Sequence, residues 1–203
     1  ERRAETPTYD LTPEEFDLYT KVTNYVSNEM GRAERLIRAG EGKRGMVVGF
    51  AMTTLQRRLA SSPEAIYQSL KRRKQNLERD LTEIREGKKK IGDLSEDVKD
   101  GPIDEDSDDD DYNDVEREDY EQKATSHVTA AQTIQELESE IATLSELEND
   151  ALKIRTSSNH AKWHKLRDVL ENQKELFDDA GHRNKLIIFT EHRDTLNYLV
   201  SNI

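Results

Sequence analysis

Residues 62–92 read SPEAIYQSLKRRKQNLERDLTEIREGKKKIG. Ser62 can cap a helix, and Pro63 suits the first helical position, where its missing N–H would have had no partner. From there Tyr67, Leu70, Leu77, Leu81, Ile84 and Ile91 fall on heptad positions, with Lys74 and Lys88 as polar interruptions. So narrow an apolar seam wants a partner helix. A second seam, Ala130, Ile134, Leu137, Ile141, Leu144 and Ala151, repeats at alternating spacings of four and three and is broken by Glu148. Two seams of similar length joined by a polar run predict an antiparallel coiled-coil arm within residues 63–157, built from roughly residues 64–92 and 115–154. The same pattern also allows two helices docked on a larger body.

Upstream, Thr12-Pro13-Glu14-Glu15 is a helix start with a mechanism: Thr12 caps, Pro13 takes the first position, and Glu15 closes a capping box. Phe16, Tyr19, Val22, Val26, Met30, Ala33 and Ile37 recur every three or four residues, which predicts a long helix with one buried face, ending near Gly40. The glycine-rich break Gly40 to Gly45 reads as a hinge before a second helix, Met46 to about Ala60, whose small and apolar residues predict the deepest burial. These elements make residues 1–62 a helical segment.

Downstream, Ser158-Asn159 is a candidate cap for a helix from His160 to about Asp179, bearing Trp163, Leu166, Leu170 and Phe177, with Gly181 past its end. Lys185-Leu-Ile-Ile-Phe-Thr190 then reads as a strand buried on both faces, and Glu191 to Asp194 lead into a last helix with Leu196, Leu199, Val200 and Ile203. Residues 158–203 are therefore expected to be an incomplete α/β piece, one strand and one helix, whose neighbouring strands lie elsewhere. The start at Glu1 without an initiator Met, and the stop at Ile203 inside an apparent helix, read as the edges of a piece of a larger protein. The predicted class is mainly α: a helical bundle with a long antiparallel coiled-coil arm, plus that C-terminal piece.

Composition agrees with an elongated helical shape, since 33% of the 203 residues are hydrophobic and 36% are charged. With no cysteine, disulfides and thiolate metal sites are excluded, and no apolar run approaches the roughly 18 residues that would span a bilayer. A soluble, cytoplasmic protein without membrane partners is expected. The net charge of -12 is unevenly spread. Glu96 to Glu121 holds 15 acidic and two basic residues, whereas Lys71 to Lys90 holds nine basic and four acidic ones. The run DEDSDDDD at 104–111, inside an acidic loop at about 94–114, is expected to be solvated; it lacks the central Gly and closing Glu of a calcium loop.

Autonomous chemistry is hard to find. Gly40-Glu41-Gly42-Lys43-Arg44 lacks the glycine spacing and the Ser or Thr of a phosphate loop. His160 and His164 stand one helical turn apart with Ala-Lys-Trp between them, which favours a surface pair over a zinc site. No catalytic residue and no cofactor or metal ligand is assigned. The basic residues Lys71, Arg72, Arg73 and Lys74, with Arg79, Arg85, Lys88, Lys89 and Lys90, offer phosphate contacts whose strength would fall with salt. Glu78, Asp80, Glu83 and Glu86 are interleaved among them, so a solvated face with pairs along the helix is the competing reading.

Three segments carry a resemblance. Leu11 to Val26 (LTPEEFDLYTKVTNYV), Leu55 to Ile66 (LQRRLASSPEAI) and Lys185 to Leu199 (KLIIFTEHRDTLNYL) resemble bacterial superfamily 2 helicase-like proteins of the SWI/SNF type. In that family the first two follow the first RecA-like motor domain and the third opens the second. Together the segments cover about a quarter of the chain, and the strand followed by Glu-His-Arg-Asp is the most specific of them. The resemblance implies a parent enzyme that couples ATP hydrolysis to movement on duplex nucleic acid, with ATP and magnesium held between two motor domains. It implies as partners the remaining motor domains of the same polypeptide and duplex DNA, and it places Thr190 and Arg193 at the family's fourth motif, facing the motor cleft or the nucleic-acid track. The phosphate loop, the Asp-Glu box and the later arginine motif are missing here, so the chain alone is expected to be inactive. The isolated chain is also open to self-association through its seams. A coiled-coil adaptor, or an acidic mimic of nucleic acid, also fits the composition, but neither explains residues 185–199.

Overall fold

The structure, a computed structural model, describes residues 4, 6–95, 98, 114–157 and 160–203. The acidic run 104–111, and with it most of the predicted acidic loop, lies outside the described residues, as does the predicted cap Ser158-Asn159. The described chain is mainly helical: α1 (Pro13–Arg38), α2 (Gly42–Ser61), α3 (Pro63–Arg85), α4 (Asp114–His127), α5 (Ile134–Thr156), α6 (Ala161–Asn172) and α7 (Arg193–Asn202). No helix among the described residues is long and apolar enough to cross a membrane.

The helix starts follow the local chemistry. Thr12 Oγ1 accepts from the Glu15 N–H at 3.2 Å, and the Glu15 carboxylate accepts from the Thr12 N–H at 2.9 Å, the reciprocal pair of a capping box. Ser62 Oγ accepts from the Ala65 N–H at 3.1 Å and so starts α3 with a single residue between it and the end of α2. Gly40, at φ 94°, turns the chain between α1 and α2. α2 begins at Gly42, inside the glycine-rich break, and Gly45 lets the two helices close: a Cβ there would lie 2.6 Å from the Ala33 carbonyl oxygen.

Side-chain pairs fix the helix directions. Tyr19 donates to the Leu59 carbonyl and Gln56 to Thr23, so α1 and α2 are antiparallel. Arg44 bonds the Thr129 carbonyl just past α4, and Arg57 bonds Glu121 within it, so α4 also opposes α2. Along α3 and α5 the pairs are Glu64 with Arg155, Lys74 with Glu148, and Arg85 with Glu138, which makes these two antiparallel as well. Lys74 and Glu148, the polar interruptions of the two seams, face each other at 2.5 Å.

The predicted arm does not project. One core cluster runs from Leu18 to Ile154, and α1, α2 and α4 cover the faces of the α3–α5 pair that a free arm would leave to solvent. The apolar seam is narrow because much of the buried face is polar. Arg73 and Asp80 on α3 and Glu140 on α5 are buried beside Leu70, Leu77, Leu137 and Leu144. In α1 the buried stripe is Leu18, Val22, Tyr25, Val26, Glu29, Ala33 and Leu36, rotated from the predicted one, and Phe16 is 65% exposed. The rotation admits Glu29, which apolar periodicity cannot register.

The C-terminal region differs most from expectation. α6 stops at Asn172 instead of continuing to about Asp179. Beyond it the Asp178 carboxylate accepts from the N–H groups of Ala180 and His182, a local turn that competes with helix. Residues 185–190 adopt no regular secondary structure, and an isolated bridge, Phe177 to Arg183, is the β pairing seen among the described residues. Ile187 is 75% and Phe189 90% exposed. A strand buried on both faces needs neighbours on both edges, and the described residues provide none.

Candidate functional site

A dense polar assembly lies where α2, α3 and α7 meet. The single-residue connection at Ser62 folds α3 back on α2, which brings Arg57 and Arg58 from the end of α2 beside Arg72 in the third turn of α3. The first turn of α7 enters this corner. Asp194 Oδ2 accepts from Arg58 Nη1 at 3.2 Å and from Arg72 Nη2 at 2.6 Å, and Oδ1 accepts from Arg72 Nη1 at 3.4 Å. Thr195 Oγ1 bridges the hydroxyls of Ser61 and Ser62 at 2.7 and 2.8 Å. Arg57 divides its guanidinium between Glu191 and Glu121, both at 2.8 Å. The Arg193 N–H donates to Glu118 at 2.7 Å, and its guanidinium pairs with Glu118 and Asp119.

Burial dominates the electrostatics. Desolvation, and then the neighbouring charge of Arg72, pull the Arg58 guanidinium below its ordinary pKa, while Asp194 opposes the shift. Six buried nitrogens at this corner have no hydrogen-bond partner among the described residues: Arg57 Nε, Arg58 Nε and Nη2, Arg72 Nε, and both ring nitrogens of His192. His192 is pulled below its ordinary pKa, first by burial and then by Arg58, with Arg57 adding to the shift and Glu191 and Glu121 opposing it. His127, half-buried between α3 and α4, is lowered by burial and by Arg79, Lys123 and Lys89, against Asp80.

Both imidazoles resist protonation in the folded state, so the unfolded chain binds more protons below the free value of about 6.5. The stability they contribute is present above that pH and is lost as pH falls through their lowered values. The thermal midpoint is expected to drop between about pH 7.5 and about pH 5.5, with a smaller drop in His192→Gln. An unchanged slope in that variant would remove His192 from the account.

The predicted contact residues fall in different places. Arg72, Thr190 and Arg193 come together at the corner, Thr190 and Arg193 lining a cleft with His192 and Glu121. Arg73 is not available to phosphate. It is fully buried, with Nε on the Tyr25 hydroxyl at 2.7 Å, Nη1 on the Thr125 carbonyl at 2.9 Å and Nη2 on Glu140 at 2.7 Å. Burial pushes the Tyr25 phenol well above its ordinary pKa, so it keeps its proton and donates to Glu140 at 2.8 Å. Lys74 is held by Glu148, Lys89 by Asp80 at 2.8 Å and Lys88 by Glu86 at 2.6 Å. Lys71 lies over the Tyr67 ring, 5.7 Å from its centroid, and the Lys90 side chain is exposed. His160 and His164 are not a surface pair: His160 is buried and stacks on Tyr198, and only His164 is exposed. Among the described residues no three His, Asp or Glu side chains are grouped to hold a metal ion.

Sequence reading missed Arg58 and Thr195 as partners of the α7 turn. The available signal was two adjacent arginines, Arg57 and Arg58, in the helix judged most buried, where a charge needs a partner from elsewhere in the chain. No family model, no curated protein and no solved structure matches the chain.

Proposed function

We propose that this chain is the non-catalytic segment linking the two motor domains of a superfamily 2 helicase-like ATPase of the SWI/SNF type, and that it contacts duplex DNA. The observation that carries this reading is convergence. The three segments that resemble the family are far apart in sequence, yet they meet at one end of the bundle. Tyr19 of the first donates to Leu59 of the second at 2.9 Å, and Arg58, Ser61 and Ser62 of the second hold Asp194 and Thr195 of the third. Stretches under one functional constraint are expected to be neighbours. From that end α3 carries its basic side chains up to about 33 Å away.

Residues 158–203 are, on this reading, the opening of the second RecA-like domain. The exposed run at Leu186, Ile187, Ile188 and Phe189 suits a parallel sheet supplied by that domain. ATP and magnesium belong to the parent protein. Lys71, Lys88, Lys90, Thr190 and Arg193 are the DNA-facing residues best placed to act: Lys88 and Arg193 pair with acidic neighbours but stay 69% and 49% exposed, whereas Lys74 and Lys89 are largely enclosed with their partners and Arg72 sits on Asp194. The adaptor alternative has less support, because the seam residues a partner helix would use, Leu70, Leu77, Leu137 and Leu144, are already buried within the chain.

The encoding gene tests the proposal. A phosphate loop and Asp-Glu box are expected before these residues and an arginine motif after them, in one reading frame, and a frame lacking all three rejects the reading. The isolated chain is expected to turn over no ATP, because it carries no phosphate loop to hold the γ-phosphate. Turnover that copurifies with it would count against the assignment.

A further inference from the structure

The corner between α2, α3 and α7 holds more hydrogen-bond donors than its own acceptors satisfy. Asp194 offers two oxygens to Arg58 and Arg72, and it leaves Nε and Nη2 of Arg58 and Nε of Arg72 without acceptors in a buried setting. A buried donor left unpaired costs about 1–3 kcal/mol, and more when the group is charged. A tetrahedral oxyanion presents more acceptors than a carboxylate, and forked guanidinium groups match its geometry. The corner is also reachable. The Arg58 side chain is 1% exposed, but Arg72 and Asp194 are 25% and 18% exposed. Asp194, though neither guanidinium, lines an open cleft of about 490 Å³ whose walls include Gln68, Arg155, Asn197 and Tyr198, so a ligand reaches Arg58 and Arg72 from it by displacing the Asp194 carboxylate. Glu64, the other acidic group in that cleft, is taken up by Arg155 and Gln68.

We propose that Arg58 and Arg72 form a binding site for a phosphoryl oxyanion, and that Asp194 occupies it in this structure as an internal stand-in. A phosphate that enters the cleft competes with the Asp194 carboxylate for the two guanidinium groups. Its binding loosens the ionic hold on the first turn of α7, while Thr195 stays on Ser61 and Ser62. The site is thus both a phosphate receptor and a release for α7. This inference does not rest on the motor-protein reading, since it follows from the donors and acceptors of the corner alone.

An internal competitor lowers apparent affinity by the fraction of molecules in which the site is open. Asp194→Asn keeps the shape and removes the charge, so inorganic phosphate is expected to bind this variant about tenfold more tightly than the wild-type chain in calorimetric titration at constant ionic strength. Adding Arg72→Gln to Asp194→Asn is expected to abolish the gain, with circular dichroism confirming the helical fold of each variant. A nucleoside triphosphate and a short DNA duplex, titrated in parallel, separate a free phosphate from a backbone phosphodiester: the source is the one whose binding shows the same dependence on both residues. The proposal is overturned if Asp194→Asn binds none of the three better than wild type, or if its gain survives Arg72→Gln. Neither outcome touches the proposed function, which the flanking reading frame tests separately.

Discussion

Arg73→Ala is expected to destabilise the protein by about 3–5 kcal/mol, the cost of breaking a fully buried ion pair and stranding its partner. Arg73 and Glu140 side chains are both 0% exposed, and Arg73 also holds the Tyr25 hydroxyl and the Thr125 carbonyl. Glu140 in turn accepts from Thr129 Oγ1 at 2.6 Å, so one carboxylate ties α1, α3, α5 and the turn after α4 together. Arg73→Lys is also expected to be costly, because an ammonium cannot reach three partners in the planar fork of a guanidinium. Lys71→Ala, two residues away and only partly buried, is expected to change stability by no more than about 0.5 kcal/mol. Denaturant unfolding measures all three, and similar values for Arg73→Ala and Lys71→Ala would mean that the basic run lies on one solvated face after all.

The second large effect concerns the apolar core. Leu144→Ala removes a side chain with no exposed surface from the α3–α5 contact and is expected to cost about 2–5 kcal/mol through lost transfer energy and the cavity left behind. Phe16→Ala, although it deletes a larger group, is expected to cost less than about 0.5 kcal/mol, because the ring projects from the first turn of α1. If Phe16→Ala proved as damaging as Leu144→Ala, the α1 stripe would have to be rotated back to the one that apolar spacing predicts.

These variants mark what could be read in advance. Helix starts were legible because each depends on a few adjacent residues: Thr12 with Glu15, and Ser62 with Pro63. The antiparallel pairing of α3 with α5 was legible too, whereas the facing of Lys74 by Glu148 emerges only in the structure. The surroundings of that helix pair were not legible. Periodicity counts apolar side chains, whereas Arg73, Asp80, Glu140 and Glu29 are buried by pairing across helices far apart in sequence. The candidate site was half legible for the same reason. Arg72, Thr190 and Arg193 stood out as charged or motif residues, but their partners Arg58, Asp194 and Thr195 acquire meaning only when residue 58 and residue 194 are brought together. The apolar run at 185–190 shows the opposite failure, in that its composition specifies a strand while pairing depends on neighbours its own sequence does not contain.

The Glu140 knot also constrains the order of assembly during synthesis. Arg73 leaves the ribosome 67 residues before its carboxylate partner does. Until then α1, α2 and α3 can approach one another, but their shared interior holds Arg73 and the Tyr25 hydroxyl without the carboxylate that bonds both of them, Glu29 being the acidic group α1 itself contributes there, and the groove meant for α5 stays open to water. Closure of the bundle is therefore expected to wait for the chain to be translated through Thr156, with shorter nascent chains leaving the apolar faces of α1, α2 and α3 uncovered.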